Sequence, residues 1–337
     1  MAAWLRVGIP AVLTVVFAIP LVVIIRNPTI REEPMVVLIL SMTAILVIFS
    51  LDFGVISVVD LLTENDTPSL LCSLLSTFGL SLLVGFKLST VFLAVEQYVA
   101  VIFPLQHYVT MSGWANKMVV FTWLFIAALA TFGVACFQAG LETTIEFDIR
   151  VFDTETATCE CGWRDLTVAH MVTSMIFFNG FSILNCVLLL YTAVQGLKHE
   201  RRIAEGEADR DQKFLVRFKS FKRIIKLLLT FLIIDIIGTV FHIVSRGLLM
   251  PPQLLFGTHL LRVMSLLVEY WAYGFSNTII PKALKAFFGF RQNQAEPQGP
   301  VGVEQNRPDH QAHAEDAAPS RRVLEAPLAL DDIERSE

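Results

Sequence analysis

Seven stretches of this chain are almost continuously apolar, and each is about as long as a helix that crosses a bilayer. They fall at about 4–26, 35–60, 69–97, 118–140, 168–195, 224–249 and 254–280. A hydrocarbon core ~30 Å thick is spanned by about 20 apolar residues rising 1.5 Å each. The runs are continuous rather than alternating at period two, so they predict helices and exclude a barrel. Polar connections between them are short: 27–34, 62–69, 105–117 and a few residues around Pro251 and Pro252. Such links make sequential helices antiparallel neighbours, giving one all-α bundle over residues 1–291.

Composition agrees with this pattern. Of 337 residues 54% are hydrophobic and 17% charged, and the mean hydropathy is +0.61. The first apolar run, about 19 residues, exceeds a signal-peptide core, so the first helix is expected to be retained. After the seventh run, 281–291 sets Phe287, Phe288 and Phe290 on one side and Lys282, Lys285 and Arg291 on the other. That arrangement predicts a short amphipathic helix at 281–291 lying in the membrane interface. Residues 292–337 turn to Pro, Gln, Ala, Glu, Asp and His, a composition that predicts a disordered tail.

The net charge of −5 averages unlike segments. Residues 198–226 hold ten Lys and Arg against five acids, whereas 141–167 hold two Arg against seven acids. Basic residues collect on the cytoplasmic side, so the first loop is read as inside and the second as outside. With seven spans the N-terminus is then outside and the C-terminus inside. Cys136 and Cys186 fall within apolar runs as buried thiols. Cys72 opens the third span, and Cys159 and Cys161 lie in the outer loop, where an oxidising compartment allows Cys72 to bridge to either. Asn65-Asp66-Thr67 is a glycosylation acceptor on the same side.

The end of the third run carries the most specific signal: Glu96-Gln97-Tyr98, then Val101, Pro104, Leu105 and Tyr108. This resembles the Asp/Glu-Arg-Tyr segment and following Pro-Leu loop of rhodopsin-like (class A) G-protein-coupled receptors. Cys72 stands 25 residues before Gln97, and Trp123 falls 19 after Pro104, spacings similar to the family's disulfide cysteine and fourth-helix tryptophan. Tyr191 resembles the fifth-helix tyrosine that moves inward on activation. Asn277-Thr278-Ile279-Ile280-Pro281, followed by Phe287, resembles the Asn-Pro-x-x-Tyr signature and the phenylalanine of the eighth helix. A second register sets Glu269-Tyr270-Trp271-Ala272-Tyr273 on that signature and leaves Asn277–Phe288 without a counterpart.

The departures are equally specific. Gln97 replaces the family's arginine, removing the bidentate guanidinium from the cytoplasmic switch and leaving Glu96 without its usual cation. Asp235-Ile236-Ile237-Gly238 stands where the sixth helix of the family has its Trp and Pro, and Ile183 stands at the fifth-helix proline. No counterpart of the first-helix Asn or second-helix Asp is evident.

Ionisable residues inside apolar runs are costly and mark candidate sites. Asp52, Lys87, Glu96, Asp235 and Glu269 are such residues. Lys87 lies about 15 Å above Gln97, and Asp235 about 20 Å beyond Lys222, at 1.5 Å per residue. The resemblance makes these two positions face each other, so Lys87 and Asp235 are expected to pair between helices three and six. Amine receptors place an acid where this chain has Gly79, which disfavours a biogenic amine. Trp271 stands where opsins carry the retinal lysine. Gly79, Asn179, His242, Arg246, Arg262 and Glu269 are the candidate lining of an outer pocket, and Arg246 and Arg262 favour an anionic ligand.

The resemblance therefore implies a multi-pass plasma-membrane receptor. It would bind a small extracellular ligand and signal to a heterotrimeric G protein through Glu96, Gln97, Tyr98, Pro104, Tyr191 and Asn277. The replaced switch residues make a receptor with weak or absent coupling the nearest alternative. A seven-span transporter or membrane enzyme is the reading from another class, but inverted repeats, a His-Asp cluster and an HExxH motif are all lacking in the sequence. Membrane lipid is the surrounding partner; no nucleic acid, cofactor or metal is expected.

Overall fold

The computed structural model describes residues 3–62, 69–103, 106–143, 166–204, 225, 228–230, 232–238, 240, 261, 264–274 and 279–287. Helix α1 is Ala3–Arg26, followed by a 3₁₀ turn at Pro28–Glu32, then α2 at Pro34–Leu62, α3 at Ser69–Ile102 and α4 at His107–Gln138. Helix α5 is Val168–Ala204, α6 is Leu228–Gly238, α7 covers residues 264–274, and α8 is Ile279–Phe287. Among the described residues, the first five helices are long and apolar enough to cross a membrane.

Helix α3 is the axis of the bundle. In its most apolar membrane window 83% of the helix is buried, against 28% for α4 and 33% for both α1 and α5. It packs on α2, α4 and α5 together. Exposed Val, Leu, Ile and Phe side chains on the outer helices, such as Leu124 and Ile176, face where lipid tails would be. A lipid-facing surface needs no polar residues, which explains why the runs read as apolar all round.

Polar ties set the helix order. Trp123 on α4 donates from Nε1 to Ser41 Oγ on α2 at 3.1 Å, and Thr43 on α2 donates to the Tyr270 hydroxyl on α7 at 3.2 Å. Phe17 on α1 meets the Tyr270 ring edge-on at 5.1 Å. Between α4 and α5, Phe125 contacts Phe177 and Phe181 at 5.2 and 5.7 Å. Helix α8 lies against α1, with the Arg26 guanidinium 5.9 Å from the Phe287 ring.

The structure departs from the sequence reading at the link before α4. The 105–117 link is largely the first three turns of α4, because Met111 and Ala115 bury one face four residues apart and no breaker intervenes. Of the expected seventh span at 254–280, residues 261, 264–274, 279 and 280 are described and helical, and Ile279–Phe287 forms α8.

Candidate functional site

Three charges meet at the centre of the bundle. Lys87 Nζ on α3 lies 2.8 Å from Asp235 Oδ2 on α6 and 2.5 Å from Glu269 Oε2 on α7. The three side chains are 0%, 1% and 2% exposed, so water screens none of them. The expected Lys87–Asp235 pair is present, and Glu269 joins it as a second anion. This corrects the placement of Glu269 in the outer pocket lining: its carboxylate is committed to the ammonium below. Phe86 and Phe178 place ring faces 5.7 and 5.1 Å from Nζ, enclosing the ammonium in aromatic surface.

A polar shell continues from this cluster. Asn185 on α5 donates to Glu269 Oε1 at 3.4 Å and to Thr90 Oγ1 at 3.2 Å. Tyr273, fully buried one turn beyond Glu269, donates to Asn185 Oδ1 at 3.0 Å. Glu269 and Tyr273 thus turn inward from α7, whereas Asn277 lies outside the described residues in the 275–278 segment preceding α8. The second register sets Glu269–Tyr273, all described residues, on the seventh-helix signature, whereas Asn277 and Thr278 of the first register lie outside the described residues.

The far end of α3 holds a second arrangement. Glu96 Oε1 lies 2.7 Å from His107 Nε2, the first residue of α4. Both are sheltered, at 4% and 11% exposure. Where the family has an arginine beside this acid, the chain has Gln97, whose buried Oε1 has no hydrogen-bond partner among the described residues. His107 therefore takes the acid from the next helix. Tyr98 and Tyr191 approach at 5.7 Å between ring centres, bringing α3 and α5 together. Pro104 is outside the described residues.

His107→Ala would leave a sheltered carboxylate without its nitrogen partner. The expected cost is about 1–3 kcal/mol, read as a lower melting temperature in detergent. Adding Gln97→Arg to that variant should recover part of the loss by supplying a guanidinium.

Of the remaining pocket candidates, Gly79 is filled rather than open. A Cβ at Gly79 would fall 2.5 Å from Asp52 Oδ2, so the space left by the missing side chain receives a carboxyl from α2. Asp52 is 7% exposed, and its Oδ2 has no hydrogen-bond partner among the described residues. Asn179 donates to the Met175 carbonyl of its own helix at 2.8 Å, while among the described residues its buried Oδ1 has no hydrogen-bond partner. His242, Arg246, Arg262, Asn65, Cys159 and Cys161 lie outside the described residues. Cys72 is buried, and among the described residues the free thiols are Cys136 and Cys186. His170, near the top of α5, is fully buried between Ser81 and Ser174 at 3.5 and 3.4 Å. Sequence reasoning misses His107 and Asn185; the signal for the first is the acid left without its arginine, and for the second a lone Asn amid apolar residues.

A multi-pass membrane bundle with buried charges joining α3, α6 and α7 and an acid–Gln–Tyr segment ending α3 has the design of a receptor. The family model for the 7 transmembrane receptor (rhodopsin family) matches residues 18–252 of this chain, well over half of it. The chain belongs to that family, which is one of receptors and not of enzymes. No curated protein matches it.

Proposed function

We propose that the chain is a plasma-membrane receptor that binds a small extracellular ligand and passes a helix rearrangement to a cytoplasmic heterotrimeric G protein. The observation that supports this best is the Lys87 ammonium holding α6 and α7 to α3 from the bundle centre. A ligand that favours a different spacing of these helices shifts the population by its differential affinity. In this reading all seven runs cross the bilayer with the N-terminus outside. Cys72 then bridges to Cys159 or Cys161, Asn65 accepts a glycan, and His242, Arg246, Arg262 and Asn179 line an outer cavity favouring an anion. The docking face would comprise Glu96, Gln97, Tyr98, Pro104 and Tyr191, with Asn277 beside it and the basic 198–226 loop around it.

A second reading has its own observation. Among the described residues Gln97 leaves a buried carbonyl without a partner, in place of the guanidinium that would meet a G protein, so coupling is weak or absent. A constitutive and ligand-panel second-messenger assay of the parent and Gln97→Arg separates the two. The receptor reading expects the parent to signal, or the arginine to raise signalling tenfold or more, roughly 1.4 kcal/mol in the switch. Silence of both at normal surface expression leaves the uncoupled reading standing.

A further inference from the structure

Helix α8 meets α1, α2 and α7 around an apolar cleft. Its lining includes Pro20 on α1, Ile39 on α2, Tyr270, Trp271 and Gly274 on α7, and Leu284 on α8. A Cβ at Gly274 would meet nothing within 4 Å among the described residues, so the α7 wall stands open there. The Tyr270 hydroxyl is engaged by Thr43. Pro20 and Ile39 fall inside the first two candidate spans, which puts the cleft at hydrocarbon depth, where lipid tails rather than water fill apolar space.

The rim of this cleft is cationic. Arg26 ends α1 six residues after Pro20, ~9 Å further along the axis at 1.5 Å per residue. Its guanidinium lies 5.9 Å from the Phe287 ring of α8. Lys285 follows Leu284 in sequence, and Lys282 stands one turn earlier. All three cations are exposed, and among the described residues none has a carboxylate partner. The acids in the link between α1 and α2 are Glu32 and Glu33, with Arg31 beside them. Four cations against two anions leave this end with two net positive charges (four minus two).

We propose that this cleft binds one anionic phospholipid, with an acyl chain between α1, α7 and α8 and the phosphate at Arg26, Lys282 and Lys285. A water-soluble partner has no access at hydrocarbon depth. Lipid tails are as apolar as the cleft walls, so burying a chain selects no particular lipid. Selection falls to the headgroup, where each basic residue near an anionic lipid is worth about fivefold in affinity. A lipid seated here ties α1 to α8 and, through Trp271 and Gly274, to the helix that carries Glu269 and Tyr273. Leaflet composition thereby becomes an input to the central charge cluster.

The test uses the full chain in phosphatidylcholine vesicles with phosphatidylserine as a minor component, one lipid or the other brominated on its acyl chain. Bromine quenches tryptophan fluorescence on contact, and Trp271 lines the cleft. Subtracting the quenching of a Trp271→Phe receptor isolates the share of that residue. Phosphatidylserine is expected to be favoured at Trp271 by about tenfold or more over its mole fraction. Arg26→Gln with Lys285→Gln should bring that preference close to parity, whereas Arg26→Lys with Lys285→Arg, which keeps both charges, should hold it. Lys117→Gln removes an exposed cation of α4, beside Trp114 and outside the cleft lining, and should leave the preference unchanged. Equal quenching by the two brominated lipids overturns the proposal. So does a preference that survives the paired Gln substitutions, or one that Lys117→Gln lowers as much, which would assign it to the general field of the basic face. In the orientation proposed above the rim meets the cytoplasmic leaflet. The vesicles carry phosphatidylserine in both leaflets, so the outcome depends on neither orientation nor signalling, and its failure leaves the receptor reading untouched.

Discussion

Lys87→Met is expected to cost about 3–5 kcal/mol and to abolish surface expression. The substitution removes little volume, so packing is not the issue. What it leaves are two carboxyls, Asp235 and Glu269, with no cation between them in a region that water does not reach. Because the penalty is electrostatic, removing the remaining charges should reverse it. The triple variant Lys87→Met, Asp235→Asn, Glu269→Gln is expected to regain most of the parent's melting temperature and expression. Buried ion clusters are often no more stabilising than neutral groups of similar shape. Additive losses in the triple variant would show that the three groups act independently, contrary to the geometry.

Gly133→Ala is expected to destabilise by about 1–3 kcal/mol although it adds one methyl. The new Cβ would stand 2.4 Å from Thr77 Cγ2 on α3 and 2.7 Å from His170 Cδ2 on α5. Neither neighbour gives way easily: Thr77 is β-branched and buried, and His170 is held between Ser81 and Ser174 with Phe132 at 6.4 Å. Helix α4 must therefore move off both α3 and α5. Gly113→Ala, on the same helix with nothing within 4 Å of its added methyl, serves as the control and should be neutral or slightly stabilising. Thermal melting of the two variants side by side decides it.

Much of this architecture is legible in the sequence because lipid imposes a length and a polarity on each helix. The axial position of Lys87 follows from counting back from Gln97, and the pairing with Asp235 follows from the family resemblance. Glu269 is harder to place. Its distance from the membrane boundary depends on where the seventh helix ends, and Asn277-Thr278-Ile279-Ile280-Pro281 is similar enough to the family signature to shift that end by several residues. The Glu96–His107 contact is hidden for another reason: it joins residues across a chain reversal whose tightness depends on α4 starting about ten residues earlier than its apolar run.

The hydroxyls of the central helix bear on whether solutes cross the membrane through this protein. Ser81, Ser89 and Thr90 each donate to a carbonyl of α3 itself, at 2.8, 3.0 and 2.8 Å. Such back-bonding uses up the donors that a permeation pathway would turn toward water and ions. A helix this rich in serine and threonine looks like the wall of a pore when read as a string of letters. Folded, these three hydroxyls are spent on the backbone of α3 itself, and the helix presents its apolar side chains to the neighbours that bury 83% of its most apolar window.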